Sequence, residues 1–152
     1  HVRSRRQRQM CIRDRDKENV YFYVQTANPI TSSTDPNWML LLIDADNNYS
    51  TGWYGYDYLI NQSVVDNTST QIKWYDNTKN EWVKKNVLAY KAKGNCLELA
   101  VSRKDLGLLE DAFVFDFKWA DNPKELKDPI SLCTDGDTAP NRRFNYRCIW
   151  KK

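Results

Sequence analysis

The sequence predicts an all-β domain: an antiparallel β-sandwich, jelly-roll-like, with eight or nine strands and at most one short helical turn. Short runs rich in β-branched and aromatic residues recur along the chain, separated by clusters of Pro, Asn, Asp and Gly. No segment keeps a 3.6-residue hydrophobic period, and no helical pattern alternates with the strands. A length of 152 residues fits one domain with its own core.

Each strand is predicted from its residue types and from the turn residues that bound it. "WMLLLID" at 38–44 is a continuous apolar run, short enough for a strand that is buried on both faces. "NTKN" at 77–80 separates two strand-like runs and indicates a hairpin. The one helical candidate is "SRKDLGLL", with Ser102 as its cap and Gly107 as its stop. The predicted strands are 18–26, 38–44, 56–61, 70–76, 81–86, 87–93, 96–102, 112–120 and 144–150.

The basic character of the chain is concentrated in residues 1–15, "HVRSRRQRQMCIRDR". This segment holds six of the 23 basic and one of the 20 acidic residues, which leaves 17 basic and 19 acidic residues, a net charge of −2, in the remainder. One interpretation is an arm for nucleic acid or an anionic membrane. We favour another: the segment resembles translated adapter sequence from assembled metagenomes, so the domain is 16–152. It is not a secretory signal, since no apolar stretch follows the arginines.

Several classes of function are disfavoured by composition. A net charge of −2 outside residues 1–15 argues against a nucleic-acid partner, and no apolar run approaches the roughly 20 residues that span a bilayer. His1 is the sole histidine, so the domain has no imidazole for a general base or a haem ligand. The five glycines form no phosphate-binding pattern, so no nucleotide cofactor is expected.

Cysteine usage leaves two alternatives open. Outside residues 1–15 the chain has Cys96, Cys133 and Cys148, without the C-x-x-C spacing of a zinc site. Either Cys133 pairs with Cys148 across the last connection, or all three are buried thiols.

The stretch that follows the buried strand at 38–44 is a candidate calcium loop. Asp44 and Asp46 alternate as oxygen ligands of a hard cation do, and Asp57 is the best additional ligand. The loop is not an EF-hand, because Tyr49 stands where glycine is required and Gly55 where a bidentate glutamate is required. The alternative is that these side chains cap the strand end and hydrogen-bond the turn.

The aromatic residues beside this loop are candidate sugar contacts, because aromatic rings stack on sugars while amides and carboxylates bind hydroxyls. If 53–58 were a strand, the tyrosines of "TGWYGYDY" would share one face, and Trp53 would point the other way. The strand at 112–120 likewise delivers the Trp119 ring to its end, where Asp121 and Asn122 follow. Arg142 lies in a later turn, and the alternative for it is a salt bridge within that turn. The candidate ligand-binding residues are Trp53, Tyr54, Tyr56, Trp119, Asp121, Asn122 and Arg142.

Four motifs in order, "DPNWMLLLIDADNNYSTGWYGYDYLIN", "LELAVSRKDLGL", "FVFDFKWADN" and "DGDTAPNRRFNYR", resemble β-sandwich domains related to family 9 carbohydrate-binding modules and the sugar-binding branch of the DOMON superfamily. The resemblance covers about residues 18–150. It implies a jelly-roll sandwich without catalytic residues, a carbohydrate ligand and often a structural calcium ion. It also implies secretion or a cell-surface location, as an accessory domain at the C-terminal end of bacterial glycan-active proteins. Such domains usually begin with one or two further strands, so a sandwich edge is expected to be missing.

The sequence therefore predicts a non-catalytic module that tethers an upstream enzyme to a polysaccharide or oligosaccharide. Two alternatives stay open. A structural sandwich that packs on a catalytic domain would bury its aromatics or gather them in one apolar patch. A small glycosidase would need two carboxyl groups about 5–9.5 Å apart in a cleft.

Overall fold

A computed structural model describes residues 7–15, 18–26, 28–35, 37–110, 112–140 and 145–150, with the side chains of 7–15, 133–135, 137 and 150 outside that description. The described chain is an all-β antiparallel sandwich with two short helices. Neither helix is long or apolar enough to cross a membrane. The elements in chain order are β1 (Gln7–Arg15), β2 (Asn19–Thr26), β3 (Leu40–Asp44), β4 (Tyr58–Val64), β5 (Ser69–Asp76), β6 (Glu81–Lys93), β7 (Cys96–Ser102), α1 (Arg103–Leu106), β8 (Phe113–Asp121), α2 (Pro129–Asp135), β9 (Asp137–Ala139) and β10 (Tyr146–Trp150).

Two sheets share the long strand β6. The hydrogen-bonded order is β1-β2-β7-β6-β5-β4-β3-β8-β10, with β9 added on β8. The first nine residues of β6, 81–89, pair with β5, whereas 90–93 pair with β7. We call β1, β2, β7 and the end of β6 the first sheet, and the other strands with the start of β6 the second sheet. Because one strand crosses from sheet to sheet, the two layers are joined by backbone hydrogen bonds as well as by side-chain packing.

The main core lies between the two sheets. Strand β2 alternates, with Val20, Phe22 and Val24 fully buried and their neighbours partly exposed. The Phe22 ring meets Phe115 and Phe117 of β8 edge-on, with centroids 5.9 and 5.3 Å away. Edge-to-face pairs of this kind add to the area-based stabilisation of a core.

A second apolar layer covers the outer face of the second sheet. All five residues of β3 are buried, as the continuous apolar run predicts. Leu40 and Leu42 point away from the main core and pack with Trp53, Tyr56 and Leu132. The loop between β3 and β4 and the segment that contains α2 therefore form a lid over this face, which explains why β3 has no polar side until Asp44.

The predicted strands are confirmed, with one change in organisation. The two strands predicted at 81–86 and 87–93 are one strand, β6. Helix α1 follows the predicted signal, and Gly107 ends it in the left-handed conformation at φ 70°. The side chain of Ser102 does not hydrogen-bond the first turn, however, so its predicted capping contact is absent.

Helix α2 is a second helix that the sequence analysis does not predict. Asp128 caps it by accepting a hydrogen bond from the backbone N–H of Ser131, whose own side chain completes a capping box. Pro129 occupies the first helical position, where its missing N–H is harmless.

Strand β1 lies in the segment that we predict to be foreign. It pairs antiparallel with β2, with Met10 opposite Val24, and covers the edge that we expect to be exposed. Strand addition at an open edge uses backbone groups that every residue type provides. The prediction that residues 1–15 do not belong to the domain therefore stays a prediction.

Candidate functional site

Three carboxylates meet where the loop between β3 and β4 begins and ends. Asp44 is the last residue of β3, Asp46 lies two residues on, and Asp57 immediately precedes β4. The backbone N–H of Asp57 donates to the carbonyl of Ile43 at 2.7 Å, so the end of the loop returns to its start. One oxygen from each carboxylate lies within 4.8 Å of the other two.

The loop is held by a tight two-residue turn. Trp53 and Tyr56 exchange backbone hydrogen bonds of 2.7 and 2.9 Å, and the residues between them, Tyr54 and Gly55, have φ of 50° and 95°. Positive φ at both central positions is the pattern of a type I′ turn. Residues 53–56 are thus a turn and not part of a strand, which is why Trp53 and Tyr56 enter one apolar layer instead of pointing to opposite faces.

Hydrogen bonds within the loop fix the orientation of the carboxylates. Asp57 Oδ2 accepts from the backbone N–H of Ala45 at 2.9 Å. Asp46 Oδ2 accepts from the Thr51 hydroxyl at 2.6 Å, and its Oδ1 accepts from the N–H of Asn48 at 3.1 Å. These contacts match the turn-stabilising alternative from the sequence, but they leave acceptor capacity on every carboxylate.

Burial and mutual repulsion make this cluster reluctant to ionise completely. Burial, with the neighbouring Asp46 next in importance, raises the pKa of Asp44 to about 6. Burial likewise raises the pKa of Asp57 to about 7 against the opposing hydrogen bond from Ala45, with the charges of Asp46 and Asp44 adding to it. Although burial acts on Asp46 in the same direction, hydrogen bonds from Thr51 and other neighbours outweigh it and lower the pKa of Asp46.

The donor set fits a hard divalent cation. Calcium takes six to eight oxygen ligands, and here three carboxylates converge with their oxygens unshared by any lysine or arginine of the described chain. Asp116 lies opposite Asp44 in the neighbouring strand β8, and its carboxylate is paired with Arg147, whose Nε lies 2.8 Å from Asp116 Oδ1. This ion pair does not involve the three clustered carboxylates. A bound cation would offset the repulsion that raises the pKa of Asp44 and Asp57.

A cleft opens beside the three carboxylates at the end of the sandwich. It has a volume of about 290 Å³ and is lined by Asp46 and Asp57, by the rings of Tyr58 and Trp74, and by the end of α1. Trp74 is 39% exposed, although its neighbours along β5 are largely covered. The ammonium group of Lys85 lies 5.7 Å from the centre of the half-buried Tyr58 ring. The cleft thus combines aromatic surface with hydrogen-bonding carboxylates.

Three of the four predicted sugar-contacting rings lie in the interior. Trp119 is 1% exposed in the main core, and Trp53 and Tyr56 are 8% and 5% exposed in the outer layer. A ring without exposed surface cannot stack on a ligand from solvent, so these three are assigned to packing. Tyr54 is the exception, at 45% exposed.

The predicted polar ligands are placed elsewhere. Asp121 Oδ1 accepts from the backbone N–H of Met39 at 3.0 Å, and the Asn122 backbone N–H donates to Asn37 at 3.0 Å, so both organise the loop before β3. Burial raises the pKa of Asp121. Neither lines the cleft. Arg142 lies outside the described residues.

Sequence reasoning missed Tyr58 and Trp74. Both belong to predicted strands and pair directly across β4 and β5, where Tyr58 faces Trp74. The available signal was positional: Tyr58 is the first residue of β4 and Trp74 lies two residues before the end of β5, so both aromatics stand near turn residues at one end of the sheet.

The cysteine alternatives stay open. Cys96 is a thiol in hydrogen-bond contact with the Tyr23 hydroxyl at 3.1 Å. Cys148 packs against the main core, and the side chain of Cys133 lies outside the described residues.

A scan against protein-family models found no match, and searches of curated proteins and of solved structures found none either. Assignment of function therefore depends on the geometry of the cleft and the carboxylates.

Proposed function

We propose that this domain is a non-catalytic carbohydrate-binding module, that the cleft beside Asp46 and Asp57 is its sugar-binding site, and that calcium held by Asp44, Asp46 and Asp57 stabilises that site. The supporting observation is the pairing of the exposed Trp74 ring with two carboxylates in one cleft. Sugars combine an apolar ring face with hydroxyl edges, and this combination of groups is complementary to both.

The surroundings of the cleft favour a sugar over an extended apolar partner. The exposed Trp74 shares the cleft with the carboxyl groups of Asp46 and Asp57, and the ammonium group of Lys85 lies over the Tyr58 ring of the same cleft. A protein-binding surface would instead gather its apolar residues. The volume of about 290 Å³ lies at the lower limit of ligand pockets, roughly 300–1,000 Å³, so only a small part of a polymer fits inside it.

In this proposal the domain carries out no chemistry. It keeps a secreted or cell-surface glycan-active enzyme, covalently linked upstream, close to its polysaccharide, so that the local concentration of substrate rises. Calcium orders the loop between β3 and β4, which supplies three of the eight residues that line the cleft, Ala45, Asp46 and Asp57.

The first experiment is affinity electrophoresis of the whole chain through gels with xylan, β-glucan, mannan or starch, each with calcium and with EDTA. We expect retardation in at least one gel, and a Trp74→Ala variant that loses about 2 kcal/mol of binding, roughly thirtyfold, as a central aromatic contact does. Trp74→Phe should retain most of the affinity. Ile130→Ala, which removes an apolar residue 54% exposed on α2, is the matched control and should bind normally.

The burial of Trp53, Tyr56 and Trp119 favours one competing function, a structural sandwich that packs on its catalytic domain. That function predicts that the folded protein migrates without retardation in every gel and that Trp74→Ala changes nothing. Retardation that Trp74→Ala and Ile130→Ala weaken equally would also count against the proposed site.

A further inference from the structure

A row of aromatic rings leads from the cleft across the outer face of the second sheet. Tyr75 lines the cleft and meets Trp82 with ring centroids 5.0 Å apart. The ring centroids of Trp82 and Trp53 are 6.2 Å apart. Those of Trp53 and Tyr54 are 5.2 Å apart, and the two ring planes meet edge-to-face at 88°. The rings therefore form a continuous path that begins at the proposed sugar site and ends at an exposed tyrosine.

The residue at the end of this path has an unfavourable backbone conformation. Tyr54 has φ 50° at the first central position of its turn, a position that Asn, Asp and Gly occupy readily and bulky side chains do not. Its ring is 45% exposed and contacts the Trp53 ring edge-to-face. Core packing therefore does not explain a bulky residue there, whereas a ligand contact does, since strained residues concentrate at binding sites.

The turn is fixed relative to the row. The side-chain amide of Asn77, in the β5–β6 turn, forms two hydrogen bonds with the backbone of Gly52, at 2.9 and 3.1 Å. Gly52 itself has φ 77° and lies against the Tyr56 carbonyl. The two loops thus fix the backbone of the turn that carries Tyr54 before any ligand arrives, which lowers the entropic cost of binding.

We propose that Tyr54 is a distal sugar contact and that the ligand is an oligosaccharide chain, one part in the cleft and a later part against the exposed Tyr54 ring, which the buried Trp53 supports by packing. The inference rests on the proposed function. A chain of sugars presents repeated apolar faces with hydroxyl edges between them, and the exposed Tyr54 ring offers an apolar face two residues from Gly52, to which the exposed side chain of Asn77 is hydrogen-bonded. Tyr54, beyond the cleft, contacts only chains long enough to reach it.

Chain length separates this inference from the proposed function. We would measure calorimetric affinities of the whole chain for β-1,4-linked di- and hexasaccharides of xylose, glucose and mannose. For the sugar that binds, we expect the hexasaccharide to bind more tightly than the disaccharide. Tyr54→Asn should weaken hexasaccharide binding about tenfold and change disaccharide binding less than about twofold. Trp74→Ala should weaken both, and Tyr54→Phe, which keeps the ring, should bind as the unaltered protein does.

A thermal melt supplies a readout that binding does not influence. Because asparagine suits the turn better than tyrosine, Tyr54→Asn should melt at or above the temperature of the unaltered protein. A lower melting temperature would mean that the ring stabilises the fold, and equal losses for both chain lengths would mean that Tyr54 acts through the cleft; either result overturns the inference. If no saccharide binds the unaltered protein, the proposed function fails and this inference with it.

Discussion

At the scale of single residues, the geometry of the loop depends on Gly52. Its φ is 77°, and a Cβ at this position would overlap the backbone carbonyl of Tyr56 and approach Asp57 Oδ1 at 2.9 Å. The obstacle is mostly backbone, so no rotamer change relieves it. Gly52→Ala should lower the free energy of unfolding by about 3 kcal/mol, combining backbone strain with displacement of the turn.

Gly94 provides the matched control for this prediction. It has φ 60°, similar to Gly52, but its Cβ position meets nothing within 4 Å. Gly94→Ala should therefore cost only the conformational penalty, about 1 kcal/mol. Urea unfolding measures both variants. Equal losses would show that crowding at Gly52 is unimportant.

The residue scale also shows what the sequence could and could not predict. Asp44, Asp46 and Asp57 were predicted as a group, and the structure brings them together. The predicted opposite faces of Trp53 and Tyr56 are wrong, because 53–56 is a turn whose first central residue is Tyr54 and strand alternation does not continue through it. Tyrosine is uncommon at such a position, so residue type alone gave no indication of the turn.

At the scale of elements, the loop from Asp44 to Asp57 makes stability depend on pH. The pKa of Asp44 rises to about 6 and that of Asp57 to about 7 from the ordinary aspartate value of 3.8, so between roughly pH 4 and pH 7 the folded state binds more protons than the unfolded state. The free energy of unfolding must fall as pH rises through this window. The metal-free protein should melt at a higher temperature at pH 5 than at pH 8.

Calcium should reverse this loss, because it binds the deprotonated carboxylates. At pH 8, calcium at a concentration of about 100 times its dissociation constant should add ~2.7 kcal/mol to the free energy of unfolding. For a domain of this size that corresponds to roughly 5–10 °C in melting temperature. At pH 5 the gain should be much smaller. Asp57→Asn keeps an acceptor for the Ala45 N–H but should lose most of both responses. Asp66→Asn, in a turn away from the cluster, should keep them. Calcium stabilisation that survives Asp57→Asn would count against the metal site.

The two elements that the sequence misassigned have different explanations. Helix α2 carried a readable signal, since Asp128, Pro129 and Ser131 form a capping box with proline at the first position. Its seven residues are too few for a hydrophobic period to emerge. The sequence divides strand β6 at 86/87, whereas the structure keeps it continuous and passes it from one sheet to the other between 89 and 90, a crossing that depends on the partner strands and not on the local sequence.

At the scale of the whole molecule, the strand order could not be derived from local patterns. The pairing of β2 with β7 joins residues as far apart as Asn19 and Ser102. Such pairings depend on which apolar faces fit together, whereas turn residues specify only neighbours such as β5 and β6. The fold class therefore followed from the sequence, and the position of the cleft, where strand ends of β4 and β5 meet α1, did not.

The same long-range packing predicts that the two sheets unfold as one unit. Phe115 is fully buried and contacts Phe22 of the opposite sheet, whereas Val114, its neighbour in β8, faces outward and is 36% exposed. Phe115→Ala should lower the free energy of unfolding by about 3–5 kcal/mol, because it leaves a cavity between the sheets. Val114→Ala should cost less than about 1 kcal/mol. Tryptophan fluorescence and far-ultraviolet circular dichroism should give coincident urea transitions for both variants. Separate transitions in Phe115→Ala would mean that the sheets are stable independently and that the shared strand β6 does not couple them.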